Sequence, residues 1–330
     1  MKKVGKILVF CIIVIILITI IFFCGKDKSI ETNSDSVENI EEGMKITLVA
    51  GVALPENGNR NSNSYLIRTQ NNKLIVVDGG EIEDADFLLN YIMKYGNGKV
   101  DYWYITHPHA DHVGALCELL GRENCDIIVE NLYYYFNPLE WYEKYDTRGF
   151  SSEKLMYDSL ENPKIINKVE CQKGQIIEMD NVECEIIRIA NPEITKSDNG
   201  NESSMVFKMT ATDVNKSILF LGDAFNYTSK ELLEEPEKLQ SYAVQMAHHG
   251  QNGVTKEVYD AIDPKICFFN APKWLYDNDN GKGYNSGKWK SIIVREWVEE
   301  YKADSICAFN GDKVIRFTKE GYEVLDENIK

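Results

Sequence analysis

The chain has 330 residues, 44% of them hydrophobic, and sets 52 acidic side chains against 36 basic ones for a formal net charge of −16. So acidic a surface repels phosphate backbones and argues against tight, non-specific nucleic-acid binding. Neutral, zwitterionic or cationic partners fit the charge better.

Residues 1–24 open with Lys2, Lys3 and Lys6 and continue as an apolar run from Ile7 to Cys24, long enough at ~1.5 Å per helical residue to cross a thin hydrocarbon layer. This reads as a signal anchor, a single transmembrane helix. The lysines before it favour a cytoplasmic N-terminus, so the rest of the chain is expected on the extracytoplasmic side of the cell membrane. Ile21, Phe22 and Phe23 crowd the place where a signal peptidase needs small residues, and Phe23 before Cys24 makes a poor lipidation signal. Residues 25–44 are polar and acidic, without periodicity or aromatics, and read as a flexible linker. Residues 45–330 contain no internal repeat or second linker and are expected to form one domain.

Within it, Lys45–Ala50, Ser64–Arg68 and Lys73–Val77 read as strands, the last running into Asp78-Gly79-Gly80. Asp84 to Tyr95 sets Phe87, Leu88, Tyr91 and Ile92 on one helical face, stopped by Gly96-Asn97-Gly98. Val100–Ile105 is strand-like, and Val113, Leu116, Cys117 and Leu120 recur at helical spacing beyond the intervening loop. Ile127 to Tyr157 is densely aromatic and has two readings: an insertion packed on the body, or a lid whose rings would cage a quaternary ammonium group. Strands resume at Cys184–Ile189, Ser204–Met209, Ser217–Leu221, Tyr242–Met246 and Ile266–Asn270, with helices near Ser229–Glu235, Thr255–Ile262 and Trp289–Tyr301. A strand pair, Ser305–Phe309 with Val314–Phe317, closes the chain. Two strand-rich runs, each followed by helices, predict two packed sheets with helices outside. Cys117, Cys125, Cys171, Cys184, Cys267 and Cys307 show no Cys-x-x-Cys spacing, and leave disulfides and buried thiols both open.

All five histidines fall into two clusters: His107, His109 and His112 in Thr-His-Pro-His-Ala-Asp-His, and the pair His248-His249. The first cluster interleaves imidazoles with Asp111 between a strand and a helix, which presents several nitrogen and oxygen ligands to one metal site. Alternating ligands of this kind can divide between two cations, and two cations sharing one hydroxide make a nucleophile at neutral pH. Pro108 stiffens the loop, and Gly114 allows close backbone approach. Asp223 ends a fully apolar strand, where a carboxylate is expensive unless it faces water or a cation. His248-His249 ends another. In extended backbone neighbours point to opposite faces, so one of the pair is expected at the metal and the other at a proton or phosphoryl oxygen.

With these motifs in order, Asp78-Gly79-Gly80, Thr106 to Gly114, Gly222-Asp223 and His248-His249-Gly250, residues 45–317 resemble the metallo-β-lactamase fold superfamily. The resemblance implies an αββα sandwich with a dinuclear site, usually zinc, with manganese or iron as alternatives. Carried over by position, it assigns His107 and His109 to one metal, Asp111 and His112 to the other, Asp223 as the bridge, His248 as the final ligand, and Asp111 and His249 to catalysis. Two departures stand out: Ala115 replaces a second glycine, and no histidine lies between Cys117 and Asp223. Instead, Asn201-Glu202-Ser203-Ser204-Met205-Val206 is similar to an Asn-x-x-Ser signature of two branches, the hydrolase domain of DNA-uptake channels and the surface phosphorylcholine esterases. The resemblance therefore implies a metal-dependent hydrolase that uses a metal-bound hydroxide on small or envelope phosphodiesters. An extracellular nuclease and a non-catalytic ligand-binding surface protein are the alternatives, and no protein partner is inferred.

Overall fold

The computed structural model describes residues 42–48, 60–196 and 199–326. The expected anchor, and all but the end of the expected linker, lie outside these residues; no described helix is long and apolar enough to cross a membrane. The chain lays down β1 (Lys45–Leu48), β2 (Ser64–Arg68), β3 (Leu74–Asp78), β4 (Lys99–Val100), β5 (Tyr102–Tyr104), β6 (Ile128–Tyr134) and β7 (Ile165–Glu170) in a first sheet. A second sheet takes β8 (Ile176–Met179), β9 (Val182–Arg188), β10 (Val206–Ala211), β11 (Lys216–Phe220), β12 (Ala243–Gln245), β13 (Ile266–Phe269) and β14 (Asp304–Cys307). The chain then returns to the first sheet with β15 (Lys313–Phe317) and β16 (Tyr322–Leu325), β15 pairing antiparallel with β1. The expected closing strand pair is thus divided: β14 joins β13 in the second sheet, and β15 joins the first.

Alternation along each strand decides which core a side chain joins. Tyr65, Ile67, Ile75 and Val77 of the first sheet share a core with Phe207, Met209, Ile218, Phe220 and Phe268 of the second. The intervening Leu66, Leu74 and Val76 pack instead with Leu88, Ile92, Leu116 and Leu120, from helices Ala85–Gly96 and Ala110–Gly121. On the far side Leu219, Val244, Cys267 and Phe269 pack with Leu232, Val258, Ile262, Val294 and Val298, from helices Asn226–Leu232, Lys256–Ile262 and Ser291–Tyr301. The result is a mixed α/β fold: two sheets face to face, with helices against the outer face of each. All six cysteines of the domain are buried free thiols.

The aromatic segment is a strand and two helices rather than an open lid: β6, then Leu139–Tyr145 and Phe150–Ser159. Its rings pack inward. Tyr133 stacks on Tyr104 with ring centroids 4.7 Å apart, Tyr142 is fully buried, and the Trp141 indole donates to the Pro192 carbonyl at 2.7 Å. Burial of area thus explains Tyr133, Tyr134, Trp141 and Tyr142, while Tyr135, Phe136, Tyr145, Phe150 and Tyr157 are half-buried.

Candidate metal centre

Strands β3 and β5 run parallel in one sheet, and β11 and β12 run parallel in the other. Their carboxyl ends therefore lie along sheet edges, the place where open α/β sheets present binding groups. At or just past those ends come Asp78, the His107 to His112 loop, Asp223 and His248-His249.

Each loop is held by buried polar contacts. Asp78 has a left-handed backbone (φ 55). Its carboxylate accepts from the Thr106 backbone N–H at 2.8 Å, from Asn63 Nδ2 at 2.7 Å, and from His112 Nδ1 at 2.7 Å. The Ala110–Gly121 helix starts after His109, and Gly114 lets it settle on the preceding loop: a Cβ there would stand 2.5 Å from the Ile82 nitrogen and 2.9 Å from the Glu81 carbonyl carbon. Gln245 ties the other two loops together, accepting from Leu221 N at 2.9 Å and donating to the carbonyls of Gly222 at 3.0 Å and Met246 at 2.8 Å. The Asn201 to Ser204 segment acts as a bracket. Ser204 Oγ accepts the Asp223 N–H at 3.0 Å, and the buried Glu202 carboxylate accepts the Tyr227 and Thr228 N–H groups at the start of the Asn226–Leu232 helix, both at 2.8 Å.

These restraints bring Asp111, His112, Asp223 and His249 together, with ligand atoms all within 4.8 Å of one another. Asp223 Oδ1 is 3.2 Å from His112 Nε2, and its Oδ2 is 3.4 Å from His249 Nε2 and 3.9 Å from His248 Nε2. Asp111 Oδ2 lies 3.0 Å from His249 Nε2. The rings of His107 and His112 are 4.1 Å apart between centroids, and those of His107 and His109 4.6 Å. His107 Nε2 is buried without a hydrogen-bond partner, as is Asp223 Oδ1.

The expected assignment put His248 at the final ligand position and His249 beside the substrate; in the structure His249 Nε2 lies closer to the two carboxylates than His248 Nε2 does. His249 is 1% exposed, and its Nδ1 donates to the Asn270 carbonyl at 2.9 Å, so Nε2 faces the two carboxylates. His248 sits at the rim, 3.5 Å through Nε2 from Asn201 Nδ2 and 6.0 Å between ring centroids from Phe225. The alternation argument fails because neither residue is in strand: both have left-handed backbones, φ 51 and 58.

Electrostatics follow from burial and crowding. Burial would push the His249 imidazole down, but Asp223 and Asp111 outweigh it and raise it to about 10. His112 is likewise driven up by Asp223, Asp78 and Asp111 against its burial. Burial favours protonating Asp223 and Asp111, yet the imidazoles around them hold both below the usual carboxylate range. Burial and two neighbouring imidazoles hold His107 well down, hence neutral. Two ionised carboxylates, with ring nitrogens gathered around them, are the donor set a divalent cation takes in exchange for protons. The orphaned Nε2 of His107 fits the same use.

Residues that sequence reasoning did not single out as site members complete the surroundings. Asp78 fixes His112, the Asn270 carbonyl fixes His249, and Asp146 accepts from His109 Nε2 at 2.7 Å. Glu153, fully buried, lies 3.8 Å from the same nitrogen through Oε1; burial and Asp146 push its carboxyl up to about 9. The Asp78-Gly79-Gly80 motif signalled the first of these. Nothing local in sequence signals the others.

Residues 57–183 match the family model of the metallo-beta-lactamase superfamily. That match spans less than half of the chain. In fold the chain is similar to the solved structure of CmlA, a diiron beta-hydroxylase from Streptomyces venezuelae, at 12% identity and a TM-score of 0.51, over 84% of this chain and 55% of that one. Unliganded yeast PDE1 matches at 10% identity with a TM-score of 0.48, over 84% of this chain and 100% of that one. The anaerobic nitric oxide reductase flavorubredoxin of Pectobacterium carotovorum subsp. carotovorum is 23% identical over 264 residues, 75% of this chain. The chain spans 44% of the length of that relative.

Proposed function

We propose that this protein is a dinuclear metal-dependent hydrolase acting on small or cell-envelope phosphodiesters. The observation that carries the reading is the convergence of Asp111, His112, Asp223 and His249, with ligand atoms within 4.8 Å, beside the orphaned His107 Nε2. On this reading His107 and His109 hold one cation, Asp111, His112 and His249 the other, and Asp223 serves both. When bound, such ions acidify water and polarise an ester oxygen. The chain's own residues do the rest. Asp78 and the Asn270 carbonyl orient the rings, and His248, at the rim beside Asn201, is the group assigned to the phosphoryl oxygen or the leaving group's proton.

The net charge of −16 favours small esters over DNA, and the Asn201 to Ser204 signature supports the phosphorylcholine esterase-like branch over a β-lactam hydrolase. The buried rings of Tyr133, Tyr142 and Trp141 offer no cage for a quaternary ammonium group, so the proposed specificity rests on the phosphodiester. The apolar run at Ile7–Cys24 supports a single-pass anchor with the hydrolase domain on the extracytoplasmic side. Zinc, manganese and iron all suit mixed imidazole and carboxylate ligands, and relatives named as a diiron hydroxylase and a nitric oxide reductase make iron part of the test.

The test is metal analysis of the purified full chain, then turnover of bis-p-nitrophenyl phosphate, p-nitrophenylphosphorylcholine and DNA with each metal. Hydrolysis of a small phosphodiester that is lost with chelator and restored by metal is expected. Exclusive cleavage of DNA would turn the reading to a nuclease, and failure of the metal-loaded protein on every ester, with ligand binding retained, to a binding protein.

A further inference from the structure

We propose that Asp146 is a positioning residue that selects Nδ1 of His109 as its ligand nitrogen, which makes the inserted aromatic segment part of the metal centre. The proposal rests on the two-cation reading above and deepens it for the ion assigned to His107 and His109. A neutral imidazole carries one N–H, and an ionised carboxylate only accepts. With Asp146 Oδ2 2.7 Å from His109 Nε2, the proton sits on Nε2 and the lone pair on Nδ1. The other rings follow the same rule with opposite nitrogens: Asp78 and the Asn270 carbonyl each take an Nδ1, leaving Nε2 of His112 and His249 for the centre. In each case a protein acceptor fixes the tautomer of a ligand ring, the arrangement that raises ligand basicity at metal sites.

The clamp is built, not incidental. Asp146 follows the Leu139–Tyr145 helix, its N–H bonded to the Tyr142 carbonyl at 2.8 Å, and its Oδ1 accepts from Gly149 N at 3.3 Å. Two glycines make room for the pair. A Cβ on Gly149 would stand 2.9 Å from His109 Nε2, and one on Gly200 would overlap both Asp146 Oδ2 and His109 Nε2. Gly200 immediately precedes the Asn201 to Ser204 bracket whose Ser204 holds Asp223, so one short stretch of chain reaches both His109 and Asp223. No histidine lies between Cys117 and Asp223. The ion on this side therefore has few imidazoles, and a carboxylate-backed His109 strengthens one of them.

The test uses the full chain labelled with 15N-histidine, the five histidines keeping ring spectra sparse enough to assign, with His109 identified by H109Q. Long-range 1H–15N spectra of the metal-free protein at alkaline pH are expected to show His109 as the Nε2–H tautomer. D146A is expected to lose that preference, and D146N, whose amide oxygen still accepts, to retain most of it. In metal titrations D146A is expected to weaken one of the two ions by about 10- to 100-fold while the other holds. An Nδ1–H tautomer in the wild type, an unchanged tautomer in D146A, or equal weakening of both ions would overturn the proposal. If D146A does not fold, the wild-type spectrum still decides it. A wild type that shows the Nε2–H tautomer but takes up no metal supports the role of Asp146 and sinks the hydrolase reading, so the two failures are distinguishable.

Discussion

Asp223→Ala tests whether one carboxylate serves both halves of the centre. Asp223 is 2% exposed and lies within 3.9 Å of imidazole nitrogens from three histidines, His112, His248 and His249. If it serves both cations as proposed, its loss removes a ligand from each, and a drop of about 100-fold in metal affinity corresponds to about 2.7 kcal/mol. At a free metal concentration of about 100 times the wild-type Kd, metal stabilises the folded wild type by about 2.7 kcal/mol, and the variant by only about 0.4 kcal/mol. With about 2 °C of Tm per kcal/mol for a domain of this size, the metal-induced rise should shrink from about 5 °C to under about 1 °C. Differential scanning calorimetry with and without zinc or manganese measures it, beside metal content by mass spectrometry. A variant that still takes up two ions and gains the same Tm would refute the idea of a shared carboxylate.

Other outcomes follow from the same geometry. In the metal-free protein His249 is raised to about 10 from an ordinary value near 6.5; its protonation therefore stabilises the fold fully below about pH 6.5 and is lost as pH rises through 10. The Tm gap between metal-free wild type and H249Q should accordingly narrow across that window, whereas a constant gap would count against the buried ion pairs. Metal affinity should run the opposite way and rise with pH, because each bound cation displaces protons from these rings; competition titrations at pH 6 and pH 8 would show it. Gly114→Ala drives a Cβ into backbone that cannot swing aside, at a cost of about 1–3 kcal/mol in urea unfolding; a neutral result would mean the 79–84 loop is freer than its packing implies. Asp78→Ala leaves buried donors of Asn63, Thr106 and His112 unmatched and should cost about 3–5 kcal/mol in the same assay, with a loss under about 1 kcal/mol contradicting its anchoring role.

The legible parts of this molecule are those encoded locally. Leu74 to Val77 and Ile218 to Leu221 are apolar on both faces because each sheet is covered twice, so those strands announced themselves and carried their terminal ligands with them. β6 was harder to see: Tyr133 and Tyr134 read as an insertion, although alternation sends one into the intersheet core and the other toward the helices. β7 and β16 are largely exposed and have little periodicity to find. The choice between His248 and His249 turned on a left-handed backbone that an adjacent pair of histidines does not advertise. Asp146 joins His109 from 37 residues away, and only the packing of two helices brings its carboxylate to the ring.

The return of the chain to its first sheet sets a timetable for synthesis. β1 is paired on both sides, by β2 and by β15, so an emerging polypeptide holds an unfilled hydrogen-bonding margin until residues 313–317 leave the ribosome. Such a margin invites strangers, which makes the interval before β15 arrives the period when nascent chains of this protein most need a chaperone's cover.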